Sequence, residues 1–221
     1  MKRIAYTGPS WAVRSFDEPV ERDRHGGTNL AKELGLDVVN LSQFGASNFQ
    51  CYDIIKNYPE KFDAVLWVYC EPFVDVELEK LATVLSSENF WDFRNTLNNN
   101  MLEKINNLGC PVGLIGGHSD ITDCNFDNIS VIHQSWQKFL ANRASVELNH
   151  GWGAERAHLA IIRNDNIKPS KTAVELISDT LKSWAQLEMY GVFRWVHPNT
   201  KGNQLFAKEI ENSVKCFIDT V

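Results

Sequence analysis

Two residues near opposite ends of the chain are of the right types for nucleophilic catalysis. Ser10 stands in the run T-G-P-S-W, and His197 in V-H-P-N-T-K-G-N-Q. A serine in a tight turn after a strand exposes its hydroxyl and aims its own backbone N–H at the same point. That serves attack on a carbonyl and stabilisation of the resulting oxyanion. The plainer reading of Ser10 is a helix N-cap, a position serine fills well. Pro198 suits a first helical turn, so His197 is presented at a helix entrance, where it can act as a general base. Its plainer reading is a surface-loop histidine packed on Trp195. Further polar groups follow apolar runs at Gly45 to Asn48, at Glu71 and at His118 to Asp120.

These residues can meet only if the elements before them share one sheet edge. Residues 3–7 (RIAYT), 36–42 (LDVVNLS), 63–70 (DAVLWVYC) and 110–117 (CPVGLIGG) read as strands. The last two are continuous apolar runs, the pattern of strands covered on both faces. Helices are expected over 26–35, closed by Gly35, and over 47–58, 133–145, 169–190 and 200–219. One or two more are expected across 76–108, around the polar stretch NTLNNN. Alternation of this kind predicts a parallel sheet wrapped by helices, with ligands outside the carboxyl ends of the strands.

Composition narrows the function classes. A chain of 221 residues with no linker or repeat reads as one domain over 1–221. Its 22 Lys+Arg against 28 Asp+Glu leave a formal charge of −6, unsuited to nucleic acid or to an anionic membrane. Cys51, Cys70, Cys110, Cys124 and Cys216 are odd in number and form no C-x-x-C pair, so reduced and mostly buried thiols are expected. His118, His150 and His158 lack zinc-helix spacing, and R-D-R-H-G-G at 22–27 is not a phosphate loop. The opening M-K-R-I-A-Y-T-G has too short an apolar stretch for a signal peptide, which points to a cytoplasmic protein. Seven Trp and twelve Phe are a surplus, and Trp11, Phe44, Phe73 and Trp195 each adjoin a strand-end motif. They are expected to line one pocket mouth, or else to cap the core.

Most of the chain resembles the SGNH (GDSL-type) hydrolase superfamily. Gly8-Pro9-Ser10 is similar to its first block, whose serine is the nucleophile. Asn40 to Gly45, with Ala46-Ser47-Asn48, is similar to the second, whose glycine N–H contributes to the oxyanion hole. Phe62-Asp63-Ala64-Val65 into Tyr69 resembles the strand before the third, and His197-Pro198-Asn199 with Gly202 resembles the last. The resemblance implies a flavodoxin-like three-layer α/β/α sandwich and ester hydrolysis without a cofactor.

Three positions depart from the family pattern. Pro9 replaces a supportive aspartate. Cys70-Glu71-Pro72-Phe73 stands where G-x-N-D supplies an oxyanion asparagine, a loss of about 3 kcal/mol of transition-state stabilisation. Arg194 replaces the aspartate three residues before the histidine. The implied site is therefore a Ser10–His197 dyad, or a triad completed by Glu71. Ser10, Gly45 and Asn48 are the candidate oxyanion donors, and Trp11, His118, Asp120 and Trp195 the candidate substrate contacts. The expected substrate is a small ester or acetylated carbohydrate. The alternative is a binding or structural protein that keeps the fold without catalysis.

Overall fold

A computed structural model describes residues 2–15, 28–70, 72, 76–117, 120–121, 124–148, 160–164, 166–194 and 197–221. Four all-parallel ladders join five strands: β1 (Ile4–Thr7), β2 (Val39–Asn40), β3 (Ala64–Tyr69), β4 (Val112–Gly116) and β5 (Ile129–His133). Their order, β2-β1-β3-β4-β5, is that of doubly wound flavodoxin-like sheets. The chain direction across the sheet reverses between β1 and β3, which makes the carboxyl ends of those two strands the crevice where such sheets bind ligands.

Each central strand divides its side chains between two helical layers, because successive residues point to opposite faces. Ile4, Tyr6, Leu66, Val68 and Ile115 belong to one core cluster. They pack on α6 (Trp136–Ala144), α7 (Lys171–Tyr190) and α8 (Thr200–Thr220), through residues such as Leu140, Leu187 and Phe206. Ala5, Val65, Trp67, Tyr69 and Leu114 belong to the other, packed on Cys51 and Ile55 of α3 (Asn48–Lys56) and Met101, Leu102 and Ile105 of α5 (Ser87–Asn106). A satellite cluster joins α4 (Val76–Val84) to α5 and α7 through Ala82, Phe90, Leu176 and Ile177. The remaining helices are short: α1 (Ser10–Val13) and α2 (Leu30–Glu33).

The structure departs from the sequence expectations at several places. Residues 129–133 form an edge strand, and α6 starts only at Trp136, behind the N-cap Ser135. The run at 36–42 contributes just Val39 and Asn40 to the ladder. Residues 193–198 carry an unexpected hairpin pairing, β6 (Phe193–Arg194) with β7 (His197–Pro198). Only Cys51 and Cys70 are buried; Cys110 and Cys124 are half-buried and Cys216 is exposed. Among the described residues no helix is long and apolar enough to cross a membrane, and no cluster of His, Cys, Asp and Glu could hold a metal ion.

Candidate functional site: a serine and a histidine at the switch point

Ser10 is the first residue of α1, two residues beyond a glycine that the fold forces tight. At Gly8 the backbone turns with φ +151°, and a Cβ there would lie 2.7 Å from the Val68 carbonyl oxygen and 2.8 Å from the Val68 and Ala12 Cβ atoms. Gly8 therefore lets the chain leave β1 flush against β3. Pro9, with its fixed φ, holds the N-cap position, and its carbonyl accepts from Ala12 N–H at 2.8 Å.

His197 reaches the same point from the far end of the chain. Arg194 and His197 are direct partners in the β6–β7 pairing, which sets the backbone of the histidine. Asn199 then caps α8 by accepting from Gly202 N–H at 2.9 Å, while its amide donates to the Gly191 carbonyl at 3.1 Å. Gly202 lies so close to this turn that a Cβ would stand 2.4 Å from the Val192 carbonyl oxygen. The result is a Ser10 Oγ to His197 Nε2 hydrogen bond of 2.8 Å, between residues 187 apart in sequence. His197 is only 6% exposed, so water competes little for its ring.

A second clamp, which the sequence reading missed, joins the same two regions. Asn203, buried in the first turn of α8, donates from Nδ2 to the hydroxyl of buried Ser15, just past α1. Replacing Asn203 by Ala is expected to cost about 1–2 kcal/mol in urea denaturation. The loss is expected because the regions that carry Ser10 and His197 lose a common anchor. No local pattern marks this pair, since its partners are 188 residues apart.

The loop after β2 continues the ladder beyond the strand. Leu41 N–H donates to Tyr6 O at 2.8 Å and Gln43 N–H to Gly8 O at 3.1 Å, which lays the start of the loop that holds Gly45 beside Gly8. Asn40 shapes that loop by accepting from the Ser42 N–H and hydroxyl. Ser47 and Gln50 then form a capping box that starts α3. Phe44 is 42% exposed, with the Arg14 guanidinium carbon 5.6 Å from its ring centroid. Arg14 also escaped the sequence reading, although it follows Ser10 by one helical turn.

Other expected site residues are placed differently. The Asn48 amide is committed to the end of β3: Nδ2 donates to Cys70 O at 2.9 Å, and Oδ1 accepts from Cys70 N–H at 3.2 Å. Trp67 Nε1 also donates to that oxygen, at 3.4 Å. Asn48 is thus a brace across the switch point rather than a donor aimed at a ligand. Trp11 is 2% exposed and stacks edge-on against Trp136 and Phe193, so it packs the core instead of touching substrate. Asp120 is ion-paired with Lys138 of α6. Glu71, Phe73, His118 and Trp195 lie outside the described residues.

Beneath the serine turn lies the thiol of Cys51. Burial pushes its pKa from 9.0 up to about 11, against the opposing effect of hydrogen bonds with Thr7 and Gly8. The folded state therefore holds a proton that the unfolded chain releases near 9, and this stabilisation is lost as pH rises through about 11. Iodoacetamide at pH 8 is expected to alkylate exposed Cys216 first and to reach Cys51 only after urea unfolding, as read by peptide mass spectrometry.

No family model matches the chain, and no curated protein matches it. Among solved structures it is similar to the lipase/acylhydrolase from Enterococcus faecalis, at 15% identity and a TM-score of 0.42, over 97% of this chain and 96% of that one.

Proposed function

We propose that the chain is a divergent SGNH-type serine hydrolase acting on a small ester or an acetylated carbohydrate. The observation that carries this reading is the 2.8 Å hydrogen bond from Ser10 to His197 at the carboxyl edge of the sheet. In the first step Ser10 Oγ bonds to the ester carbonyl carbon as its proton passes to His197 Nε2. The carbonyl oxygen takes up the electron pair and is held by the N–H groups of Ser10 and Gly45. The intermediate collapses, the C–O bond to the alcohol breaks, and His197 returns its proton to the leaving oxygen. Water, deprotonated by the same histidine, then hydrolyses the acyl-serine. Phe44 offers an exposed apolar face, of the kind that takes up a sugar ring or an acyl chain. Ser10 and His197 act as a dyad in this reading, or as a triad with Glu71, two residues beyond β3 in sequence, as the carboxylate partner of His197. The reaction calls on no metal or organic cofactor.

A fluorophosphonate probe tests the assignment without knowledge of the substrate. The expected result is one covalent adduct, located at Ser10 by mass spectrometry, and its loss in His197→Ala. Absence of labelling at high probe concentration, with an unchanged circular dichroism spectrum, rejects the hydrolase in favour of a binding protein.

A further inference from the structure

A cavity of about 470 Å³ opens at the other end of the sheet from Ser10, where β3 and β4 begin. That is within the volume range of small-molecule sites. Its walls come from α3, from the loop into β3 and from the turn after α5, and the aromatic part is Tyr52, Tyr58 and Phe62. Tyr58 and Phe62 lie 5.0 Å apart between ring centroids, backed by the Arg3 guanidinium at 5.9 and 5.7 Å.

The charges around the cavity are unbalanced. Lys56 and Lys61 line it, and Lys104 stands beside it, with the Lys56 and Lys104 ammonium groups 5.4 and 5.7 Å from the Tyr52 ring centroid. Glu60 is the one carboxylate in the lining, and it is ion-paired with Arg3. Asp63, close behind, accepts the backbone N–H of Arg3 at 2.7 Å. Lys56 and Lys61 form no salt bridge among the described residues, so the lining carries a positive surplus on a chain whose formal charge is −6. Aromatic rings in a wall of mixed polarity, together with ammonium groups that form no salt bridge, suit a flat anion.

We propose that this cavity binds a planar aromatic carboxylate, with its ring against Tyr52, Tyr58 and Phe62 and its carboxylate held by Lys56 and Lys61. The rings supply area and stacking, and the lysines discriminate against neutral molecules of the same shape. Cys110 also lines the cavity, but an aromatic carboxylate offers a thiol no electrophile, so association is non-covalent. Binding here requires nothing of Ser10 and does not depend on the proposed hydrolysis.

The test is a titration of the full chain, 15N-labelled, with 2-naphthoate and with 2-naphthamide as its neutral counterpart. Saturable amide shifts centred on Tyr52, Lys56, Lys61 and Gly109 are expected, with the carboxylate bound about tenfold more tightly. Lys56→Gln with Lys61→Gln, both at exposed positions, should reduce that preference to less than about twofold. Leu108→Trp should fill the cavity and abolish binding of both probes, whereas Ser10→Ala should bind them as the unaltered chain does. Absence of saturable shifts, shifts centred on Ser10, or a preference that survives the double lysine substitution would overturn the proposal.

Discussion

Ser10→Ala is expected to lower kcat for p-nitrophenyl acetate by about 10³–10⁵-fold, and His197→Ala by a similar factor. The two losses should not multiply. In the proposed mechanism the proton of Ser10 Oγ passes to His197 Nε2, 2.8 Å away, so removing either group removes the same step. The double variant should therefore be about as slow as either single one. With Glu71 as the third member of the proposed triad, Glu71→Gln should cost less, about 10²–10⁴-fold, since an orienting carboxylate does not itself exchange a bond with substrate; a Ser10–His197 dyad predicts little change. The kinetic comparison needs only the four variants and the unaltered chain, at one pH. Hydrolysis that survives Ser10→Ala would exclude the mechanism, even in a protein that proved to be an esterase. Losses that multiplied in the double variant would show that the two residues act separately, and the hydrogen bond would then have no catalytic meaning.

The elements that carry this site were legible where burial dictated composition. β1, β3 and β4 are buried throughout, and a strand covered on both faces reads as a near-continuous apolar run. β5 was not legible: Ile-Ser-Val-Ile-His lies at the sheet edge, half exposed, and reads as the approach to a helix. The β6–β7 hairpin has two-residue strands, too short to show any period. Trp11 illustrates a different limit. It adjoins Ser10 in sequence, but successive residues of a helix diverge by about 100°, so a serine facing the crevice puts its neighbour into the core. Part of the aromatic surplus is accounted for in the same way. Trp11, Trp136, Phe193 and Phe206 form a ring-to-ring chain in the core, and of the two expected pocket aromatics that are described Trp11 is buried and Phe44 is 42% exposed. For Asn48 the sequence specified the residue and its position at a helix start, but not its partner. Cys70 lies 22 residues away and meets it only because β1 and β3 are neighbours in the sheet.

Gly8→Ala should be the most damaging small substitution near the site. Two separate penalties apply. An L-residue rarely adopts φ +151°, which costs about 1–3 kcal/mol. The added Cβ would also fall 2.7 Å from a backbone carbonyl and 2.8 Å from two Cβ atoms, none of which is the free end of a flexible chain. Overpacking of this kind costs about another 1–3 kcal/mol. The sum is a large share of the 5–15 kcal/mol that holds a typical domain, and it should be seen as a lower urea midpoint with an unchanged slope. Gly35→Ala separates the two penalties, because Gly35 also has a positive φ, +65°, but nothing lies within 4 Å of its added Cβ. Gly35→Ala should therefore cost only about 1–2 kcal/mol. The variants should differ further in activity. Relief of the Gly8 clash requires the turn to move away from Val68, and Ser10 moves with it. A displacement near 1 Å costs about 100-fold in rate, so Gly8→Ala should be slow even at temperatures where it is fully folded. Gly35→Ala, remote from the serine turn, should keep its full rate. Equal stability losses in the two variants would mean that the turn relaxes freely, and the tight packing of β1 on β3 would then not be what fixes Ser10 against His197.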